Sequence, residues 1–193
     1  MVRTRVGYAG GTSPDPTYED IGDHSEAIEI EFDPRLISYR DLLAVFWKAH
    51  DPAYRSSSSQ YRTAVFWSGD EQRRLAEQSR LRAEKCAPRG VTTTVEPLRS
   101  FTPAEDYHQK YYLRSAREVA EAYHRIYPDE RDFAASTATA RVNGFLGGHG
   151  GPVRLAEEID SLGLVGEARA TLEQIVRKMH PSETCVAPLR TVR

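Results

Sequence analysis

Long apolar runs are missing from this 193-residue sequence. No stretch reaches the ~20 residues with which a helix crosses a bilayer. Met1-Val2-Arg3-Thr4-Arg5 has none of the apolar character of a secretory leader. Cysteine is scarce: Cys86 and Cys185 stand far apart and cannot make a disulfide framework, so a reducing cytoplasm is the expected compartment. The six histidines form no His-x-x-x-His pair and the cysteines no Cys-x-x-Cys, so no metal is expected. Lysine is rare too (Lys48, Lys85, Lys110 and Lys178), and arginine carries nearly all the positive charge. A net charge of -2 and a pI near 6.3 give no reason to expect nucleic acid. There is no Gly-x-Ser-x-Gly elbow to support a Ser-His-Asp triad. The run Gly144-Phe145-Leu146-Gly147-Gly148-His149-Gly150-Gly151 lacks the Lys-Ser/Thr ending of a phosphate loop and follows no strand, so it reads as a bend between helices.

What is present is an ordinary globular balance, 39% hydrophobic and 28% charged, enough for one domain and an appendage or for two small domains. Strands are expected at 2–8, 25–32, 61–67 and 91–95. Between them lie a helix at 38–49, capped by Ser38 with Asp41 and carrying Leu42, Val45, Phe46 and Ala49 as its apolar stripe, and a charged helix from Ser68 to Cys86. Strands separated by helices pair in parallel through crossovers. The expectation is therefore an α+β fold: a two-layer sandwich of a small mixed sheet and helices, followed by an all-α C-terminal extension. Helices are expected from a Ser115 cap through Ile126, then near 131–142, 153–162 and 166–179, with a stop at Gly163.

The strand Ser25-Glu26-Ala27-Ile28-Glu29-Ile30-Glu31-Phe32 carries one anomaly. Glu29 and Glu31 share the face of Ala27, where strand charges meet water. Glu26 shares the face of Ile28, Ile30 and Phe32. A carboxyl held against an apolar face is desolvated, which disfavours ionisation and suits a proton donor. A strand-end glutamate that bends out to solvent satisfies the same pattern. Tyr18 leads into this strand and Tyr61 opens the next one, so both phenols can converge on Glu26. Two tyrosines packing as amphipathic rim residues is the plainer alternative. Cys86 falls late in a helix as a small buried residue. Cys185, in a Pro-containing tail, is either idle or a thiol able to reach a distant sulfur.

Several motifs occur in one order: Val6-Gly7-Tyr8-Ala9-Gly10-Gly11, Pro16-Thr17-Tyr18, His24-Ser25-Glu26-Ala27, Phe46-Trp47 with His50-Asp51-Pro52, Gln60-Tyr61-Arg62, and Ala104-Glu105-Asp106-Tyr107-His108-Gln109. The chain over about residues 2 to 113 resembles the peptide methionine sulfoxide reductase A family. The rest, 114–193, resembles an extension carried by one branch of it. The resemblance implies reduction of the S epimer of methionine sulfoxide, free or in oxidised proteins. A thiolate attacks the sulfur, and a protonated Glu and two Tyr hydroxyls hold the oxygen. Matched by motif, these are Glu26, Tyr18 and Tyr61. It also implies no cofactor, a thioredoxin-like reductant, a monomer, and a recycling cysteine for which Cys185 is the tail candidate.

Three departures stand beside the likeness. The family's nucleophile lies in Gly-Cys-Phe-Trp, upstream of what is here Val2, and this sequence does not contain it. The loop from Asp51 to Gln60 is short and lacks Gln-Gly-Asn-Asp. The loop before His24 is trimmed. The abrupt start of strand 2–8 gives the expectation of a reading frame begun inside a longer gene. The sheet would then be short of a strand and the chain as written unstable or inactive. The other expectation is a pseudoenzyme that binds methionine or its sulfoxide without turnover.

Overall fold

The computed structural model describes residues 2–181. It divides into two compact units, one ending at Glu105 and the other beginning at Asp106. In the first unit β1 (Arg3–Ala9) pairs antiparallel with β2 (Ser25–Glu31), from Arg3 opposite Glu31 to Ala9 opposite Ser25. A short β5 (Phe101–Pro103) joins the other edge of β1, again antiparallel. β1 is thus the central strand, and its end, Gly7-Tyr8-Ala9, is buried. Gly7 is required there, since a Cβ would meet the Thr102 carbonyl oxygen of β5 at 2.3 Å. The alternation along β2 sets Glu31 and Glu29 opposite Arg3 and Arg5. Arg3 Nε donates to Glu31 Oε2 at 2.5 Å and Arg5 Nε to Glu29 Oε2 at 2.8 Å. The first pair is exposed and the second half-buried at the sheet surface, and both add little stability.

Helix α1 (Tyr39–Lys48) begins at the expected capping box, with Asp41 N–H donating to Ser38 Oγ at 3.2 Å and Ser38 N–H donating to Asp41 Oδ2 at 3.1 Å. Its buried face is rotated from the expected stripe. Val45 is 61% exposed, and Leu43 is buried with Tyr39, Phe46 and Trp47 packed around it. The cause is α2 (Asp70–Cys86), whose Leu75 and Ala76 meet Leu43, while Trp47 Nε1 donates to Ser79 Oγ at 2.9 Å. Ser68 does not cap α2. Gly69 holds that position at φ +82°, and the Ser68 N–H donates instead to Gln72 Oε1 at 2.9 Å. β3 (Ala64–Trp67) and β4 (Thr94–Pro97) pair in parallel across α2, as expected for strands joined by a long helix.

The other expected crossover does not form. β2 does not pair with β3; the described strands make two sheets, ordered β2-β1-β5 and β3-β4, rather than one mixed sheet. The α+β class stands. The two open edges touch only at their entrance, where Glu26 N–H donates to the Gln60 carbonyl at 3.0 Å. They then part around a cavity of about 520 Å³ lined by Ile28 and Ile30 of β2, Leu42 and Phe46 of α1, and Val65 and Phe66 of β3. β3 begins only at Ala64, after the loop carrying Gln60 has already met β2, so no ladder propagates between them.

The second unit is helical: α3 (Tyr111–Ser115), α4 (Arg117–Ile126), α5 (Glu130–Ala135), α6 (Thr137–Leu146), α7 (Pro152–Glu158) and α8 (Gly166–Met179). α8 has the span its periodicity predicts, and Gly163 ends the preceding turn at φ +73°. The single helix expected near 131–142 is two helices. Ser136 is extended, ends α5 and caps α6 by accepting the Thr139 N–H at 3.3 Å. Ser115 does not cap α4; its hydroxyl donates back to the Tyr112 carbonyl at 2.7 Å. Leu113, Val119, Phe133, Val142, Leu172 and Val176 form a core that excludes water completely. Tyr123 is buried among them because its hydroxyl donates to the Leu162 carbonyl at 2.7 Å, satisfying the polar end.

Candidate active site

The site grows from the loop between β1 and β2. Its two ends are pinned. Asp23 accepts from the Thr12 and Ser13 backbone N–H groups, at 2.8 and 2.9 Å from Oδ1, and from both of their hydroxyls. Those donors, the Ser13 and Thr12 backbone N–H groups first, hold the Asp23 carboxyl far below the ordinary carboxylate range. His24 is buried beside it. Gly11 N–H donates to His24 Nδ1 at 3.3 Å and His24 Nε2 lies 2.9 Å from the Ser13 carbonyl, which fits the tautomer protonated on Nε2. Gly11 admits this packing because a Cβ would strike Asp23 Oδ1 at 2.4 Å. Tyr18 lies in the middle of the loop, with its backbone N–H donating to Glu105 Oε1 at 2.9 Å.

Glu26 follows on β2. It is exposed, the solvent-facing one of the two placements that strand parity allows, and not pressed dry against an apolar face. The reason is that the face it shares with Ile28 borders the open cavity between β2 and β3, and Ile28 itself is 58% exposed. Glu26 Oε1 accepts from Gln60 Nε2 at 2.8 Å. Tyr61, the next residue, lies in the loop before β3 rather than at the start of a strand neighbouring β2. That loop is stitched to β2 by polar groups. The buried Ser25 hydroxyl donates to the Ser59 carbonyl at 2.8 Å and accepts from Arg62 Nε at 2.8 Å, and Arg62 forks onto Glu96 of β4. The Arg62 guanidinium holds the Glu96 carboxyl below its ordinary range.

The stitching brings Tyr61 to Tyr18 and Glu26. The Tyr61 hydroxyl comes near enough to both Tyr18 and Glu26 to be influenced by each. The Tyr61 hydroxyl is pushed above the ordinary phenol range, first by partial loss of solvent, then by Tyr18 and the charge of Glu26. Both rings remain open, at 43% exposure for Tyr18 and 54% for Tyr61. Two proton-donating phenols and a carboxyl around one open point can bind a polar oxygen atom and pass a proton to it. The sulfur side is different. Among the described residues the free cysteine is Cys86, which is exposed at the end of α2 rather than buried as expected. It lines cavities shared with Trp47 and Ala83, which Glu26, Tyr18 and Tyr61 do not line. Cys185 lies outside the described residues. No cluster of three or more His, Cys, Asp or Glu able to hold a metal occurs among the described residues, and no described helix is long and apolar enough to cross a membrane.

The sequence reading did not single out Gln60, Asp23, Arg62 or Glu105 as parts of the site. Gln60, Arg62 and Glu105 stand inside motifs quoted above, but motif order alone does not say which neighbour each one reaches.

The α+β unit thus carries two phenols and a carboxyl at one strand entrance. The family model of peptide methionine sulfoxide reductase matches residues 1–141. A peptide methionine sulfoxide reductase of Drosophila melanogaster is 36% identical over 171 residues, covering 88% of this chain and 68% of the relative. The peptide methionine sulfoxide reductase MsrA of Methanothermobacter thermautotrophicus is 42% identical over 128 residues, covering 61% of this chain and 76% of the relative. Among solved structures, reduced Mxr1 from Saccharomyces cerevisiae superposes with a TM-score of 0.55 at 25% identity, over 59% of this chain and 71% of that one. The chain belongs to the peptide methionine sulfoxide reductase A family, a family of oxidoreductases.

Proposed function

We propose that this protein is a peptide-methionine (S)-S-oxide reductase in which Tyr18, Tyr61 and Glu26 take the sulfoxide oxygen. The observation that carries the reading is the convergence of Tyr61, Tyr18 and Glu26 on one open point: Gln60, next to Tyr61, donates to Glu26 Oε1 at 2.8 Å, Tyr61 lies near enough to Tyr18 to be influenced by it, and both rings are exposed. A sulfoxide oxygen is a strong acceptor with no proton of its own. Entering between the phenols, it accepts a bond from each, and the Glu26 carboxylate, dried by the bound substrate, takes up a proton and hands it on as the sulfur–oxygen bond weakens. An open site suits a substrate that is a side chain of another, oxidised protein as well as free methionine sulfoxide. The substrate itself then supplies the drying that favours proton transfer.

The electrons come from thiols. A thiolate attacks the sulfur, the sulfur–oxygen bond breaks, and the oxygen leaves as water with two protons. A second thiol closes a disulfide and releases methionine, and a thioredoxin-like reductant reopens the disulfide. The reading places the protein where such a reductant is kept, in the cytoplasm. The attacking thiol is the part that Tyr18, Tyr61 and Glu26 do not supply.

The test uses the two epimers of a capped methionine sulfoxide. The chain as written is expected to bind the S epimer in preference to the R epimer. With the family's Gly-Cys-Phe-Trp segment placed before Val2 and dithiothreitol as reductant, it is expected to consume the S epimer only. Glu26→Gln then slows turnover about a hundredfold, the loss of one general acid, with the fold intact. Equal binding of both epimers, or unchanged turnover in Glu26→Gln, refutes the assignment. Selective binding with no turnover in the thiol-bearing chain would instead make this a sulfoxide-binding protein.

A further inference from the structure

Tyr18 poses a problem of placement. It sits in a loop rather than a strand, and its ring is 43% exposed. Where its hydroxyl points depends on where its backbone is held. One carboxylate takes part in that holding. Glu105 Oε1 accepts the Tyr18 backbone N–H at 2.9 Å, and Glu105 Oε2 accepts the Tyr8 hydroxyl at 2.6 Å. Tyr8 is 2% exposed on the central strand β1, among the most firmly held side chains of the unit. Glu105 itself is half-buried just past β5, which pairs with the same strand.

We propose that Glu105 is a positioning residue, which fixes the Tyr18 hydroxyl for sulfoxide binding by tying the Tyr18 backbone to the buried Tyr8 hydroxyl. This rests on the reading of Tyr18 and Tyr61 as the oxygen-binding pair. Both bonds are charge-assisted and therefore stronger than neutral ones. Asp23 and His24 fasten the ends of the loop, but neither reaches its middle. Glu105 couples the middle to the sheet through these two bonds, and it acts through Tyr18 rather than on the substrate.

The test measures binding of a capped methionine (S)-sulfoxide to the full chain by NMR, following the ring carbon that bears each tyrosine hydroxyl. Wild type shifts the Tyr18 and Tyr61 signals on binding. Glu105→Ala weakens binding about tenfold, the worth of one well-placed charge-assisted hydrogen bond. Tyr8→Phe keeps the packing, removes one bond, and weakens binding about threefold. Glu105→Gln stays within about twofold, because its Oε1 can still accept from Tyr18 while its amide donates to the Tyr8 oxygen. In a Tyr18→Phe background Glu105→Ala costs nothing further, since its whole effect passes through that hydroxyl. A further loss there of the same size, or no loss from Glu105→Ala and Tyr8→Phe in folded protein, overturns the positioning role. Tyr18→Phe alone separates the two readings. If it leaves affinity unchanged, the site assignment fails and the proposal with it. If it weakens binding while Glu105→Ala does not, the positioning role alone fails.

Discussion

The two units of this chain are held together by different physics. The helical unit buries Leu113, Val119, Phe133, Val142, Leu172 and Val176 completely, with a tyrosine among them. The α+β unit has a small apolar cluster, Leu43, Val65, Leu75 and Ala76, and is otherwise stitched by polar side chains: Asp23 to its loop, Ser25 to Ser59, Arg62 to Glu96, Glu105 to Tyr8 and Tyr18. The contrast separates stability from chemistry. A dry core can be closed completely, whereas an open site keeps its hydroxyls and carboxylates unburied. It must hold them in place with hydrogen bonds instead of packing.

The largest effect that could break this contrast is in the helical core. Phe133→Ala is expected to cost about 4 kcal/mol through lost burial and the cavity left behind, read as a shift in the urea midpoint of the unit. A cost below about 1 kcal/mol would show that the helical core is loosely packed.

Arg62→Met should cost the α+β unit about 2 kcal/mol, because it leaves the partly buried Glu96 carboxylate and Ser25 short of a donor. Glu96 lies below its ordinary range in the folded protein, so the stability it lends is present above the ordinary glutamate value and is lost as pH falls through the lowered one. That acid loss should shrink in Arg62→Met to the part set by Thr94 and Arg99. Urea titrations at several pH values measure it. An unchanged acid limb would mean that Arg62 does not set the Glu96 carboxyl.

The smallest effect sharpens the picture of the site. Tyr18→Phe removes the hydroxyl that raises Tyr61 after desolvation, so Tyr61 should titrate closer to an ordinary phenol, at lower pH than in wild type. NMR of labelled tyrosine reads the shift. An upward or absent change would separate the two hydroxyls.

Local physics made much of this legible. The Ser38–Asp41 box, the α8 span and the facing of Glu29 and Glu31 each depend on residues a few positions apart. So does the parallel pairing of β3 with β4, which follows from the length of the helix between them. The errors lie where a distant partner chose between local options. Which face of α1 is buried was set by α2, and the break at Ser136 by competition between a cap and helix continuation. Glu26 shows it best. Parity assigned its face correctly, but parity cannot say whether the neighbouring strand covers that face. With β2 and β3 parted, the carboxyl is exposed.

The sequence by itself determined the elements, the α+β class and, through motif order, the family. Short-range periodicity and caps are written in neighbouring residues. Only the tertiary structure decided that Tyr61 reaches Tyr18 through a stitched loop, that β2 and β3 stay apart, and that Glu105 ties Tyr18 to the central strand. Each of these joins groups separated by tens of residues, and such contacts depend on which of several satisfied arrangements the whole chain adopts.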